Sequence, residues 1–307
     1  MNTKKTRFNI LLLGGIKRIG LAKKFLGEAK KRNLLMKIYS YELNYLNLNT
    51  KVIIPIKGLK WSNKKIISDL KKKILQLNIK LVIANTDEAV IILSKLKYLK
   101  NCSLVSDLKT AKNSFNKEKI NNLLKNHNID TTSSVKGFPM IAKPKFGSNS
   151  KSIAIIHNKN ALKNFNKKKY IFEKYLRGVE YSVDCYISPK FGIIGIVPRV
   201  RNEITGGEAT LTTSENNIKL SNIAEKIIII MNYIGPVNLQ FIKYNKKYYF
   251  MEANPRLSGG VLAAIKSGLN VPSLMLNDIL EHKQKKLEKI KCIKMYKYFT
   301  EYYENNN

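Results

Sequence analysis

The first third of the chain alternates between apolar runs and stretches whose apolar residues recur every three or four positions. "RFNILLLGG" (7–15) is an apolar run closed by glycines, and "IKRIGLAKKFLGEAKKRN" after it has helical spacing, which predicts a strand leading into a helix. "MKIYSYEL" (36–43) and "KVIIPI" (51–56) predict strands, and "NKKIISDLKKKILQLN" (63–78) predicts a helix. "IKLVIANTDEAVIILSKLKYL" (79–99) predicts a strand running into a helix. Strand and helix in alternation predict a parallel, doubly wound sheet, because each parallel crossover needs a connection long enough to return the chain. This α/β lobe is expected over 1–105.

From 106 the pattern changes. "SDLKTAKNSFNKEKINNLLKNHNI" reads as mostly helical, and "GFPMIAKPKFGSNSKSIAII" (137–156) as strand, loop and strand. Strands are expected over 168–188 and 191–203, a helix over 219–233, and a helix from about 259. "VNLQFIKYNKKYYFMEANP" predicts a hairpin turning at "NKK". Strand pairs with accompanying helices predict two α+β lobes, 106–170 and 171–282. A Lys- and Tyr-rich tail, 283–307, is expected to be helical. No internal repeat is visible.

Several polar residues break the apolar pattern in strict alternation. Glu252, Asn254 and Arg256 end an aromatic run, and a strand's period of two puts all three on one face. The hairpin brings Gln240 near Glu252 and Asn254. These are oxygen-bearing side chains of the kind Mg²⁺ (or Mn²⁺) takes, and a site with few carboxylates is one that shares its cation with phosphates. Lys143 ends the strand "MIA" ahead of "GSNSKS", a placement that suits a phosphate or a plain hairpin equally. Glu180, Ser182 and Asp184 share a strand face. Glu180 can accept from a ribose diol or be a solvated strand residue, and the backbone at Glu173–Leu176 (with Lys174 and Tyr175) offers an edge to adenine. Arg199 and Arg201 alternate at an expected strand end before Gly206–Gly207, a guanidinium fork suited to a carboxylate. Asp87 and Glu88 read equally as a helix cap and as a substrate contact.

Composition narrows the function classes. The formal net charge is +35, yet only seven of the 56 basic residues are arginine, and asparagine occurs 34 times. Lys, Asn and Ile are the residues of A/T-rich codons, and the lysines are spread over the whole length, so genomic bias accounts for the charge better than nucleic-acid binding does. No apolar run approaches the ~20 residues that span a bilayer. Three scattered cysteines without a C-x-x-C point to a reducing, cytoplasmic setting and away from structural zinc. Gly14, Gly15 and Gly20 miss the G-x-G-x-x-G spacing, and Leu21 stands where a phosphate loop needs lysine.

Taken in order, "IAKPKFGS", "EKYLRGVEYSVD", with Glu180 seven residues after Glu173, and "MEANPRLSGG" resemble the ATP-grasp superfamily, in particular the branch of carbamoyl-phosphate synthase and biotin carboxylase. The resemblance covers about residues 8–280. It implies a Rossmann-like pre-ATP-grasp domain followed by a two-lobed ATP-grasp fold. It also implies that Lys117 and Lys143 contact ATP phosphates under the loop containing Ser148, that "EKYL" faces adenine, and that Glu180 holds the ribose. Gln240, Glu252 and Asn254 would bind Mg²⁺, and Arg256 would face the reacting phosphoryl group. Two positions depart from the pattern: Asn116 stands where an aspartate is usual, and Asn149 and Lys151 replace loop glycines. The implied activity is an ADP-forming carboxylate–amine ligase acting on small molecules, with a homodimer as the expected assembly. Phosphorylation of a small acid, as in carbamoyl-phosphate synthase, and non-catalytic nucleotide or RNA binding are the rival readings.

Overall fold

The computed structural model describes residues 6–43, 52–96, 101–147 and 153–298. The N-terminal lobe contains β1 (Thr6–Arg7), β2 (Asn9–Leu13), α1 (Ile19–Lys31), β3 (Leu34–Leu35), β4 (Ile38–Glu42), β5 (Ile54–Lys57), α2 (Ile66–Gln76), β6 (Ile79–Ala84) and α3 (Asp87–Lys95). Four strands form a parallel sheet in the order β5-β4-β2-β6, and β1 pairs with β3 beside it. Both faces of the sheet are covered. Ile10 and Leu12 pack toward α1, and Leu11 and Leu13 toward α2 and α3. That is why β2 is apolar almost without alternation. The carboxyl ends of β2 and β6 open toward the rest of the chain and carry Arg18, Asn85 and Asp87 there. Ends of this kind are where α/β folds place ligands.

The middle segment has α4 (Leu108–Ser114), α5 (Lys117–Asn126), β7 (Met140–Pro144), β8 (Ala154–Ile156), α6 (Lys159–Leu162) and β9 (Tyr170–Lys174). Its strands form an antiparallel sheet, β8-β7-β9, so the chain leaves that sheet only after Lys174. The remainder comprises β10 (Val179–Ser188), β11 (Gly192–Thr205), β12 (Glu208–Ser214), α7 (Ile218–Met231), β13 (Gly235–Tyr244), β14 (Lys247–Asn254), α8 (Val261–Lys266), α9 (Val271–Ile279) and β15 (Lys294–Tyr296). Six strands run in the order β14-β13-β10-β11-β12-β15. Tyr181, Val183, Leu239, Phe241 and Phe250 line one face and pack against Leu220, Ala224 and Ile227 of α7. The opposite face is polar over much of its area.

Three features differ from the sequence reading. Arg199 and Arg201 lie within β11, not at its end: the strand continues to Thr205 and folds back as β12 through Gly206 and Gly207, whose φ values of 59° and 81° fit a tight hairpin turn. A strand was not foreseen at "EATLTTS", which is rich in small hydroxyl residues. The tail is not helical over 283–298. Leu287 donates its N–H to Ile194, Lys291 to Ser267 and Ile293 to the Ser214 hydroxyl, and β15 then pairs with β12. Those amides bond to distant main chain and side chains instead of to their own turns, so the tail runs as an extended strap along the sheet edge.

The N-terminal lobe is clasped to α9. Arg32 donates to Glu28 at 2.5 Å, to Ser273 at 2.7 Å and to Asn277 at 2.9 Å, while Asn270 donates to Glu28 at 3.0 Å. Burial opposes ionisation of Glu28, but the hydrogen bonds from Lys31, Arg32 and Asn270 outweigh it and hold the carboxyl down at about 2. Among the described residues no helix is long and apolar enough to cross a membrane.

Candidate active site

Strand register assembles the polar face. Gln240 on β13 lies opposite Glu252 on β14, and Asn238 lies opposite Asn254. On the other side of β13, Gln240 faces Ser182 and Asn238 faces Asp184 on β10. Ser182 in turn faces Arg199 on β11. Period-two alternation on four adjacent strands therefore places carboxylates, carboxamides and guanidiniums side by side on one surface.

The buried members are closely paired. Arg199 is 1 % exposed and donates through Nε to Asp184 at 2.6 Å, through NH1 to Thr212 at 3.3 Å and through NH2 to Ser258 at 3.0 Å. Asp184 also accepts from Asn238 at 3.0 Å. The guanidinium fits because residue 260 is glycine: a Cβ there would come within 2.7 Å of Arg199 NH1, and one at Gly259 within 2.7 Å of the Glu208 carboxyl carbon. Arg201 donates to Glu180 at 2.8 Å, to Gln240 at 3.0 Å and to the Gly207 carbonyl at 2.7 Å. Arg256 reaches the other lobe and donates to Asp87 at 2.7 Å and to Asn254 at 3.3 Å. Asp87 is therefore the ion partner of Arg256, and Thr86 is the residue whose side chain caps α3.

Two cavities meet on this face. The smaller, about 230 Å³, is lined by Lys117, Lys143, Lys174, Tyr175, Leu176 and Glu180, with Ile141, Ile153, Ile242 and Met251 supplying apolar wall. The larger, about 460 Å³, is lined by Arg18, Asn85, Ser182, Arg199, Asn238, Asn254, Arg256 and Ser258. Arg201, Gly207, Gln240 and Glu252 belong to both and form the shared wall. Lys143, 8 % exposed, donates to Glu173 at 2.9 Å, and Glu173, itself 1 % exposed, also accepts from Asn121 at 2.8 Å. The buried carboxylate thus aims the ammonium. Lys117 begins α5, and its ammonium bonds the Gly147 carbonyl. Burial pulls the Lys117 ammonium below the ordinary lysine value, with Glu252 opposing that pull and Lys143 adding to it.

Residues 166–301 match the family model described as ATP-grasp in the biosynthetic pathway with Ter operon. The carbamoyl phosphate synthase large chain of Clostridium perfringens is 26 % identical over 168 residues, 49 % of this chain and 16 % of the relative, so the chain spans about a sixth of the length of that curated relative. N5-carboxyaminoimidazole synthetase from Staphylococcus aureus, solved with ADP, superposes with a TM-score of 0.72 at 17 % identity, covering 96 % of this chain and 83 % of that one. L-amino acid ligase from Bacillus licheniformis superposes with a TM-score of 0.69 at 15 % identity, covering 90 % and 75 %. The chain has the ATP-grasp fold.

Within the ATP-grasp fold the candidate residues separate into groups. Lys117, Lys143, Lys174, Tyr175, Leu176 and Glu180 surround the smaller cavity, while Glu173 contributes its carboxylate beneath Lys143. The Tyr175 N–H is taken by the Pro139 carbonyl at 2.9 Å. Gln240 and Glu252 stand on the shared wall, and Asn254 stands on the larger cavity with its amide donating to Glu252 at 3.0 Å. Arg199 and Arg256 line the larger cavity only. Asn116, where an aspartate was expected, caps α5 by accepting from the Lys119 N–H at 3.1 Å, a role either side chain performs. Ser148, Asn149 and Lys151 lie outside the described residues.

The oxygen donors fit a hard divalent cation. Gln240, Glu252 and Asn254 supply one carboxylate and two carboxamide oxygens, and among the described residues Glu252 has no ion-pair partner. One carboxylate is too little for a cage made of protein alone, so such an ion would need phosphate oxygens as well. Sequence reading missed Arg18, Asn85, Asn238 and Ser258. Asn238 extends the Gln240 alternation by one step and was legible in principle. Arg18 was not, because its contact with Ser258 spans 240 positions.

Proposed function

We propose that the protein is an ADP-forming, ATP- and Mg²⁺-dependent ligase that activates a small carboxylate as its acyl phosphate for attack by an amine. The observation that carries this reading is the shared wall of Arg201, Gly207, Gln240 and Glu252 between a lysine-lined cavity with apolar walls and an arginine-lined one. ATP would occupy the first, with adenine among Ile141, Leu176, Ile242 and Met251, the ribose on Glu180, and the phosphates on Lys117 and Lys143. The acceptor carboxylate would occupy the second, so that the phosphoryl group passes over the wall.

Phosphoryl transfer of this kind depends on positioning and charge neutralisation more than on covalent help from the protein. A divalent cation held by Gln240, Glu252 and Asn254 would neutralise phosphate charge when bound. Glu173 and Asn121 fix Lys143 in place, and Asp87 fixes Arg256 across the lobes, so the cationic groups are oriented before substrate arrives. Arg201 links the ribose candidate Glu180 to the metal candidate Gln240, which ties nucleotide placement to the wall. The division into 1–105, a lobe ending after the β9 strand, and a lobe built on the six-stranded sheet belongs to the same proposal. Glu252→Ala tests it: the variant is expected to keep the wild-type unfolding midpoint and lose Mg²⁺-dependent ADP release, screened over pools of carboxylates and amines. Wild-type ADP release from Glu252→Ala would remove the wall from the chemistry.

A further inference from the structure

Three of the arginines on the larger cavity are already matched: Arg199 by Asp184, Arg201 by Glu180 and Arg256 by Asp87. Arg18 differs. Its NH1 donates to the Ser258 carbonyl at 2.9 Å, and among the described residues no carboxylate lies within ion-pair distance of it. Glu208 and Asp184 act on it only from farther off, and each is itself paired, Glu208 with Lys297 and Asp184 with Arg199. Arg18 also sits at the start of α1, a helix with no side-chain cap and no acidic residue in its first turn, so the helix end adds to the positive potential.

The same cavity also holds an acceptor without a donor. Asn85 lines the same cavity, is 7 % exposed, and its Oδ1 has no hydrogen-bond partner. Asp87, two residues on, likewise keeps Oδ2 unpartnered while Oδ1 holds Arg256. A buried polar group left without a partner is costly, and a cation without a directly paired carboxylate is poised to take an anion. An apolar ligand relieves neither. A simple anion leaves Asn85 unmet, and a simple amine leaves Arg18 unmet.

We infer that this end of the cavity is the subsite for the amine substrate, and that the substrate is an amino acid whose carboxylate sits on Arg18 and whose ammonium donates to Asn85 Oδ1. The inference rests on the ligase reading. Arg18 and Asn85 line the larger cavity and take no part in the wall it shares with the nucleotide cavity, so the anion held by Arg18 is one that the reaction leaves intact. Arg18 is thereby a specificity-determining residue contributed by the N-terminal lobe.

The test uses the full chain with ATP, Mg²⁺ and the carboxylate pool. The standard α-amino acids, β-alanine and 4-aminobutyrate are each compared with the amine lacking the carboxylate. Amino acids are expected to exceed their amines at least about tenfold in kcat/KM, the scale of one charge-assisted contact. Arg18→Ala should raise the amino-acid KM at least about tenfold and collapse that preference, with the KM for ATP within about twofold. Asn85→Leu should shift the amino-acid KM in the same direction. Equal use of amines and amino acids by the wild type, or a preference that survives in Arg18→Ala, would overturn the assignment. If Arg18→Ala does not fold, the wild-type preference and Arg18→Lys decide it, with loss of preference expected in the latter. If no mixture releases ADP, the ligase reading fails by itself. Calorimetric titration of the amino-acid pool without ATP then decides the subsite: binding by wild type and not by Arg18→Ala supports it, and no binding by the wild type refutes it.

Discussion

The two neighbouring arginines of β11 should fail in different ways, and replacing each by lysine separates them. Arg199 is enclosed, with three donors on three partners, and lysine keeps the charge but offers one compact ammonium in place of the fork. Thr212 retains its own bond to the Val200 carbonyl at 2.6 Å, so lysine forfeits the hydrogen bonds to Thr212 and Ser258, while the ion pair with Asp184 is distorted. At about 1–2 kcal/mol for each hydrogen bond made by a charged donor, Arg199→Lys is expected to cost about 2–4 kcal/mol of stability. The Arg201 side chain is itself 7 % exposed, but its carboxylate partner is 32 % exposed and water can replace part of what lysine gives up, so Arg201→Lys should cost about 1–2 kcal/mol, less than Arg199→Lys. Its effect should fall on ATP, because Arg201 is what holds Glu180 and Gln240 together. Urea unfolding monitored by circular dichroism, with ATP KM measured on the same preparations, gives both numbers. Equal stability losses in the two variants, or an Arg199→Lys midpoint indistinguishable from wild type, would refute the view that the buried fork is structural.

Gly260→Ala is expected to displace the Arg199 guanidinium, since the new Cβ would stand within 2.7 Å of it, and to lower stability by about 1–3 kcal/mol; an unchanged melting temperature would show that the loop yields freely. Glu180→Gln should raise the KM for ATP while leaving stability within about 1 kcal/mol, because its partner Arg201 keeps Gln240 and the Gly207 carbonyl; unaltered ATP affinity would remove Glu180 from the ribose. Glu28 gives a pH signature. Its folded value of about 2 lies below the ordinary 4.5, so the unfolded chain binds the extra proton and the stability Glu28 contributes is lost as pH falls from about 4.5 toward 2. Glu28→Gln should therefore be less stable than wild type at pH 7, with the deficit shrinking in acid; parallel stability curves would contradict this.

How much of this was legible in the chain depended on how local the cause was. Period-two alternation placed Glu252 and Asn254 on one face and the hairpin brought Gln240 beside them, whereas Arg256, expected on the same strand face, lies beyond the end of β14 at Asn254. The parallel lobe was legible because an apolar strand followed by a 3.6-period helix has few other ways to bury its surface. The β12 strand was not, because "EATLTTS" has too little apolar content to announce a strand, and it is held by pairing with β11 on one side and β15 on the other. The tail misled for the same reason: its lysines suit a helix, while its amides bond to Ile194, Ser267 and Ser214.

Charge pairing was decided by tertiary structure alone. Sequence marked Arg199 and Arg201 as equivalent, two residues apart on one face. The fold gave one a buried aspartate from β10 and the other a half-exposed glutamate beside the nucleotide cavity. Arg18 carried no sequence signal, because its partner comes from the far end of the chain, and Asn85 was marked only by its place at the carboxyl end of an expected strand. Periodicity follows from the backbone of a single element and is written along the chain. The counterion of a side chain is chosen by whichever distant element packs against it, so it exists only once the lobes have closed.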